Sequence, residues 1–99
     1  MTKPENIIVT LMEECAEVQQ SASKILRFGK DNFHPDHPEE TNEHQLLTEY
    51  YQLIATMEYL ISSGILSDFW EDEIDRIKIN KTEKLLLWQH FSDSLGLIE

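Results

Sequence analysis

Three glycines and three prolines are all that punctuate this chain of 99 residues, and between them apolar side chains recur every three or four positions. Strands would need a two-residue alternation, which occurs nowhere, so long amphipathic helices are what remains. Pro4 suits the first turn of a helix and Gly29 its end. Between them Ile7, Ile8, Leu11, Met12, Cys15, Ala16, Ile25 and Leu26 keep helical spacing, and residues 4–28 read as one helix. Lys30 to Thr41, with His34-Pro35-Asp36-His37-Pro38, reads as a loop.

Asn42 is placed to cap a second helix, with Gln45 three residues on as its capping-box partner. Leu46, Tyr50, Leu53, Met57 and Leu60 carry the period up to Ser62-Ser63-Gly64. Asp68-Phe69-Trp70-Glu71 repeats the capping-box pattern and opens a third helix near residue 68. That helix either continues or breaks near Asn80, before Leu85 to Trp88 and Phe91, and Gly96 is its stop. The expected fold is all-α: an antiparallel helical bundle in a single domain, residues 1–99, with short connections between neighbours. A domain of this size buries a modest core, which invites completion by oligomerisation.

Nineteen acidic against eight basic residues leave a formal net charge of -11. Such a field repels polyanions, which argues against nucleic acid and against an anionic membrane surface as partners. Cys15 is the one cysteine, so there is no internal disulfide, as suits a reducing cytoplasm. No secretory leader pattern and no membrane-length apolar run are present, and a soluble cytoplasmic protein is expected.

The acidic run Glu13-Glu14-Cys15-Ala16-Glu17 lies within the first apolar stripe, and Glu49 lies within the second. Glu14 and Glu17 share a helix face, and Glu13 nearly aligns with Glu17; like charges at this spacing weaken an isolated helix by a few tenths of a kcal/mol each. A divalent cation shared by facing helices supplies a reason for them. Magnesium takes one or two carboxylates and completes its shell with water and phosphate oxygens. The plain alternative is a solvated acidic face.

The basic residues fall into two groups, Lys24, Arg27 and Lys30 at one helix end and Arg76, Lys78, Lys81 and Lys84 in the third helix. Each has an ordinary explanation: the helix dipole for the first, pairing with Asp72, Asp75 and Glu83 for the second. Beside a carboxylate–metal site they become candidates for gripping phosphate oxygens. His34 and His37 with Asp36 form an incomplete zinc set and read as a solvated turn. Cys15 reads as a small buried hydrophobe. Trp70 and Trp88 read as core or subunit interface, with base stacking as the alternative.

Glu13-Glu14-Cys15-Ala16-Glu17-Val18 followed by Ser23-Lys24-Ile25-Leu26-Arg27-Phe28-Gly29 resembles the first helix of the MazG-like all-α nucleoside triphosphate pyrophosphohydrolases. Their signature is a Glu-Glu-x-x-Glu helix, a loop, and a helix bearing Glu-x-x-Asp. Leu46-Leu47-Thr48-Glu49-Tyr50-Tyr51-Gln52 stands where the second motif belongs, and Ile77 to Lys84 resembles the lysine-bearing third helix, so the likeness covers roughly residues 7–84. It implies a homodimer or homotetramer that cleaves a nucleoside triphosphate to the monophosphate and pyrophosphate with Mg2+. It further implies Glu14, Glu17 and Glu49 as metal ligands, and Glu13 as holder of a second metal or orienter of the attacking water, so that Glu13 and Glu14 are the catalytic candidates. Lys24, Arg27, Lys78 and Lys81 would contact phosphate.

The sequence departs from that pattern at Gln52, where the family has aspartate. Gln offers a neutral carbonyl oxygen and cannot act as a base. Three outcomes are open: Gln52 ligates the metal, directly or through water; another carboxylate such as Glu43 or Glu58 substitutes; or the chain binds nucleotide without turning it over. A reading from another class is an acidic helical interaction module that occupies a basic partner.

Overall fold

The computed structural model describes all 99 residues and is helical apart from its connections. The helices are α1 (Lys3–Phe28), α2 (Asn42–Ser62) and α3 (Glu71–Ser94). No strand forms; Phe33 and Thr41 make one isolated antiparallel bridge inside the α1–α2 loop. No helix is long and apolar enough to cross a membrane. The chain divides into two compact units, Met1–Ser67 and Asp68–Glu99.

In the first unit α1 and α2 pack as an antiparallel hairpin. Thr2 caps α1, its hydroxyl accepting from the Glu5 amide at 3.2 Å, and Pro4 occupies the first turn. Gly29 ends the helix at φ +91°, a backbone that side chains with a Cβ resist, and its N–H closes on the Ile25 carbonyl at 2.9 Å. The cap of α2 falls one residue before the sequence expectation. Thr41, not Asn42, accepts from the His44 amide at 3.1 Å. Asn42 is instead buried as the first helical residue, and its side-chain amide donates to the Gly29 carbonyl at 2.8 Å. A loop tie took the side chain that the local pattern assigned to capping.

The two helices meet along a heptad-like seam. On α1 it runs through Ile7, Leu11, Glu14, Val18, Ser21 and Ile25; on α2 through Asn42, Leu46, Glu49, Leu53, Met57 and Leu60. Every one of these is at least half-buried, the spacing that knobs-into-holes packing requires. Leu60 is the only fully buried apolar side chain. Met12, Tyr50, Tyr51 and Tyr59 face outward, because a two-helix hairpin covers only one side of each helix.

The second unit is α3 and its flanking residues. The helix begins at Glu71, with Trp70 in the N-cap position and no side-chain cap. The expected capping by Asp68 does not occur, because its carboxylate accepts from the adjacent Phe69 amide at 2.8 Å. Glu71, Asp72 and Glu73 fill the first turn and complement the helix dipole in its place. The helix runs unbroken past Asn80 to Ser94, and the Gly96 amide closes on the Asp93 carbonyl at 2.9 Å. Trp70 and Trp88 are exposed rather than core.

Candidate metal centre

Antiparallel packing places Glu14 and Glu49 opposite each other in positions that would otherwise be apolar. Glu17, one turn along α1 and exposed, reaches the same point. Carboxylate oxygens from all three lie within 4.8 Å of one another. Oε2 of Glu14 and Oε2 of Glu49 are both buried and have no hydrogen-bond partner. Buried acceptors left unsatisfied cost of order 1–3 kcal/mol each, more when charged.

The protonation behaviour of Glu49 registers this crowding. Hydrogen bonding to Glu17, open to Glu49 only once a carboxyl is protonated, does most to raise its pKa above the ordinary value of 4.5, followed by burial and by the negative charges of Glu17 and Glu14. Lys24 pulls in the opposite direction, as the weakest influence. Three carboxylates thus converge with one ammonium close by.

The donor set fits a hard divalent cation. It is all oxygen and anionic, with no sulfur or imidazole, which favours magnesium, calcium or manganese over zinc. Two oxygens on one magnesium lie at most about 4.2 Å apart, twice the bond length, so a widest spacing of 4.8 Å needs a contraction of about 0.6 Å. The two orphaned oxygens are the acceptors such an ion would satisfy.

Other residues singled out by the sequence fall elsewhere. Glu13 is exposed beside the trio, on the outer face of α1. Gln52 is exposed too, and lines a shallow depression with Leu47, Tyr51 and Ala55 rather than the acidic cleft. Glu43 is engaged with Lys30 at 3.4 Å, and Glu58 is exposed. Lys30 is held above its ordinary pKa of 10.5 by Asp31 first and Glu43 second, so it serves the loop. The Arg27 guanidinium lies 5.2 Å from the centre of the Phe28 ring. Lys78 and Lys81 belong to the second unit, and neither they nor Arg76 and Lys84 pair with Asp72, Asp75 or Glu83. Cys15 is exposed, contrary to its expected burial: the seam passes through residues 14 and 18, which turns 15 outward.

A cleft of about 360 Å³ opens beside the trio, lined by Glu17, Gln20, Ser21, Lys24, Gln45, Thr48 and Glu49 among others. None of Gln20, Ser21, Gln45 and Thr48 is marked as a site residue by the sequence, where Gln45 stands out only as a capping-box partner and Thr48 only as part of the second motif. The signal was present: Glu17, Ser21 and Lys24 share one helical face, as do Gln45, Thr48 and Glu49. Comparison of the chain with protein-family models, with curated proteins and with solved structures returns no match.

Proposed function

We propose that the chain is a magnesium-dependent nucleoside triphosphate pyrophosphohydrolase, cleaving between the α- and β-phosphates to give a monophosphate and pyrophosphate. The observation that carries this reading is the pair of buried, unpartnered carboxylate oxygens of Glu14 and Glu49 facing Glu17 across the helix seam. The Glu-Glu-x-x-Glu helix and its Ser23-to-Gly29 extension supply the reaction class by resemblance.

Glu14, Glu17 and Glu49 would hold the ion. When bound, magnesium neutralises phosphate charge and makes water more acidic. The family likeness assigns Glu13 the task of orienting the attacking water and accepting its proton, from its exposed place on the outer face of α1. Lys24 lines the cleft between Glu17 and Gln45, where its ammonium would bind phosphate oxygens and stabilise the departing pyrophosphate. Arg27 shares a surface recess with Lys24 and would extend that grip. Lys78 and Lys81 remain part of the same proposal through the family likeness of α3. The outward apolar side chains of α1 and α2 support assembly as a homodimer or homotetramer, since a surface this apolar is costly in water. The cytoplasm is the setting that this chemistry and the lone cysteine suit.

Incubation with each (d)NTP and magnesium tests the proposal. Release of pyrophosphate, abolished in Glu14→Gln, is the expected result; release of inorganic phosphate by the unmodified chain would overturn it. The exposed position of Gln52 favours one second reading, a chain that binds triphosphates but turns them over poorly. Magnesium-dependent binding without pyrophosphate release would establish that instead.

A further inference from the structure

The α1–α2 loop and the ends of its helices enclose a cavity of about 180 Å³, distinct in chemistry from the acidic cleft. Its lining is largely apolar: Phe28 at the end of α1, and Phe33 and Pro35 from the loop. Asn32 and Gln45 add amides. Lys24 and Gln45 line both this cavity and the acidic cleft, so the two spaces adjoin. One end of the combined site suits polyphosphate and its cation. The other suits a flat, weakly polar ring with hydrogen-bonding edges.

The cavity is framed by fixed contacts rather than by loose chain. The Asn42 amide donates to the Asn32 carbonyl at 2.8 Å, and the Glu43 amide to the Lys30 carbonyl at 3.0 Å. The Asn42 side chain ties Gly29 at 2.8 Å, and Phe33 bridges to Thr41. The Phe33 amide donates to Asn32 Oδ1 at 2.9 Å, which leaves the Asn32 side-chain N–H groups free for a ligand. Phe28 and Phe33 are 56% and 44% exposed, so both rings present surface that a ligand could cover. Ordering costs on binding are small for a site already closed in this way.

We infer that this cavity receives the base of the nucleotide, stacked against Phe28 and Phe33, while its phosphates occupy the acidic cleft. The inference rests on the proposed function and goes beyond it in naming the ring-binding residues. Asn32 and Gln45 read the edge of the base, and Lys24 marks the passage from base to phosphate.

The test compares an α,β-imido nucleoside triphosphate, which resists cleavage, with inorganic tripolyphosphate, both with magnesium. Stacking predicts that the nucleotide binds roughly 5- to 150-fold more tightly than tripolyphosphate. Phe28→Ala with Phe33→Ala removes that advantage and leaves tripolyphosphate affinity unchanged. Equal affinity in the unmodified chain, or an advantage that survives the double substitution, overturns the inference while the proposed function stands. Failure of both ligands to bind the unmodified chain overturns both. Saturation-transfer NMR on the unmodified chain reads the same point without substitutions: base protons saturate more strongly than ribose protons, and the reverse order overturns the inference.

Discussion

Replacing Glu49 by glutamine should stabilise the metal-free protein and destabilise its response to metal. Two unit charges 4.8 Å apart, the widest spacing in the trio, repel by about 3.5 kcal/mol at an effective dielectric of 20 and by about 0.9 kcal/mol in bulk water. The site is half-exposed and the charges are partly screened, so about 1 kcal/mol per pair is the appropriate scale. Glu49 faces two such neighbours, Glu14 and Glu17. Its amide replacement keeps the shape, removes the charge and gains N–H groups that can donate to the orphaned Glu14 oxygen. Glu49→Gln should therefore raise stability in EDTA by about 1–2 kcal/mol, or roughly 4–16 °C in Tm for a domain of this size.

Magnesium should invert the order. The unmodified chain gains about 2.7 kcal/mol at a hundredfold excess of metal over Kd, whereas the variant, short of one ligand, gains less. Thermal unfolding followed by circular dichroism, in EDTA and in magnesium, reads both halves. A variant less stable than the unmodified chain in EDTA would refute the claim that these carboxylates strain the fold. An unmodified Tm that ignores magnesium would refute the claim that a cation relieves them.

The raised pKa of Glu49 sets the sign of a pH profile for the metal-free chain. The folded state holds this proton to higher pH than the unfolded state does, so its contribution to stability is fully present below pH 4.5 and is lost as pH rises through the folded pKa; that contribution lowers urea midpoints as pH rises across the window, and it should be missing from the profile of Glu49→Gln when the two chains are compared. Gln52→Asp, at an exposed site outside the cleft, should change stability by less than about 0.5 kcal/mol and leave magnesium affinity unchanged; tighter binding by calorimetry would show that residue 52 reaches the ion. Asn42→Ala removes the side-chain tie to the Gly29 carbonyl, which keeps only the long 3.4 Å bond from the Asn32 amide, and should cost about 1 kcal/mol in denaturant unfolding; it should also speed amide hydrogen exchange in the loop.

Helix number and extent were legible in the sequence because periodicity and sparse glycine and proline act locally. α1 and α2 lie within a residue or two of their expected bounds, and Gly29 ends α1 as its position implied. The errors came where a local pattern met a second use for the same side chain. Asn42 ties the loop instead of capping, and Asp68 satisfies its own neighbour's amide. Cys15 sits in a periodic run, but a run of apolar residues does not state which of two adjacent stripes will be covered; the seam took 14 and 18, leaving 15 outside.

The chain's chemistry divides along the same line. The sequence alone determined that carboxylates stand among apolar residues on two helices, since spacing and composition are properties of the string. It also marked Glu14, Glu17 and Glu49 as a possible set through their motif. Only the antiparallel pairing of α1 with α2 decided that these three converge and that Gln52 and Glu13 stand apart, because convergence depends on helix register, a relation between distant segments. The same register closed the Phe28–Phe33 cavity beside the cleft. Burial was decided there as well: two carboxylate oxygens lost water and found no donor, a cost that a bound proton or a cation would relieve.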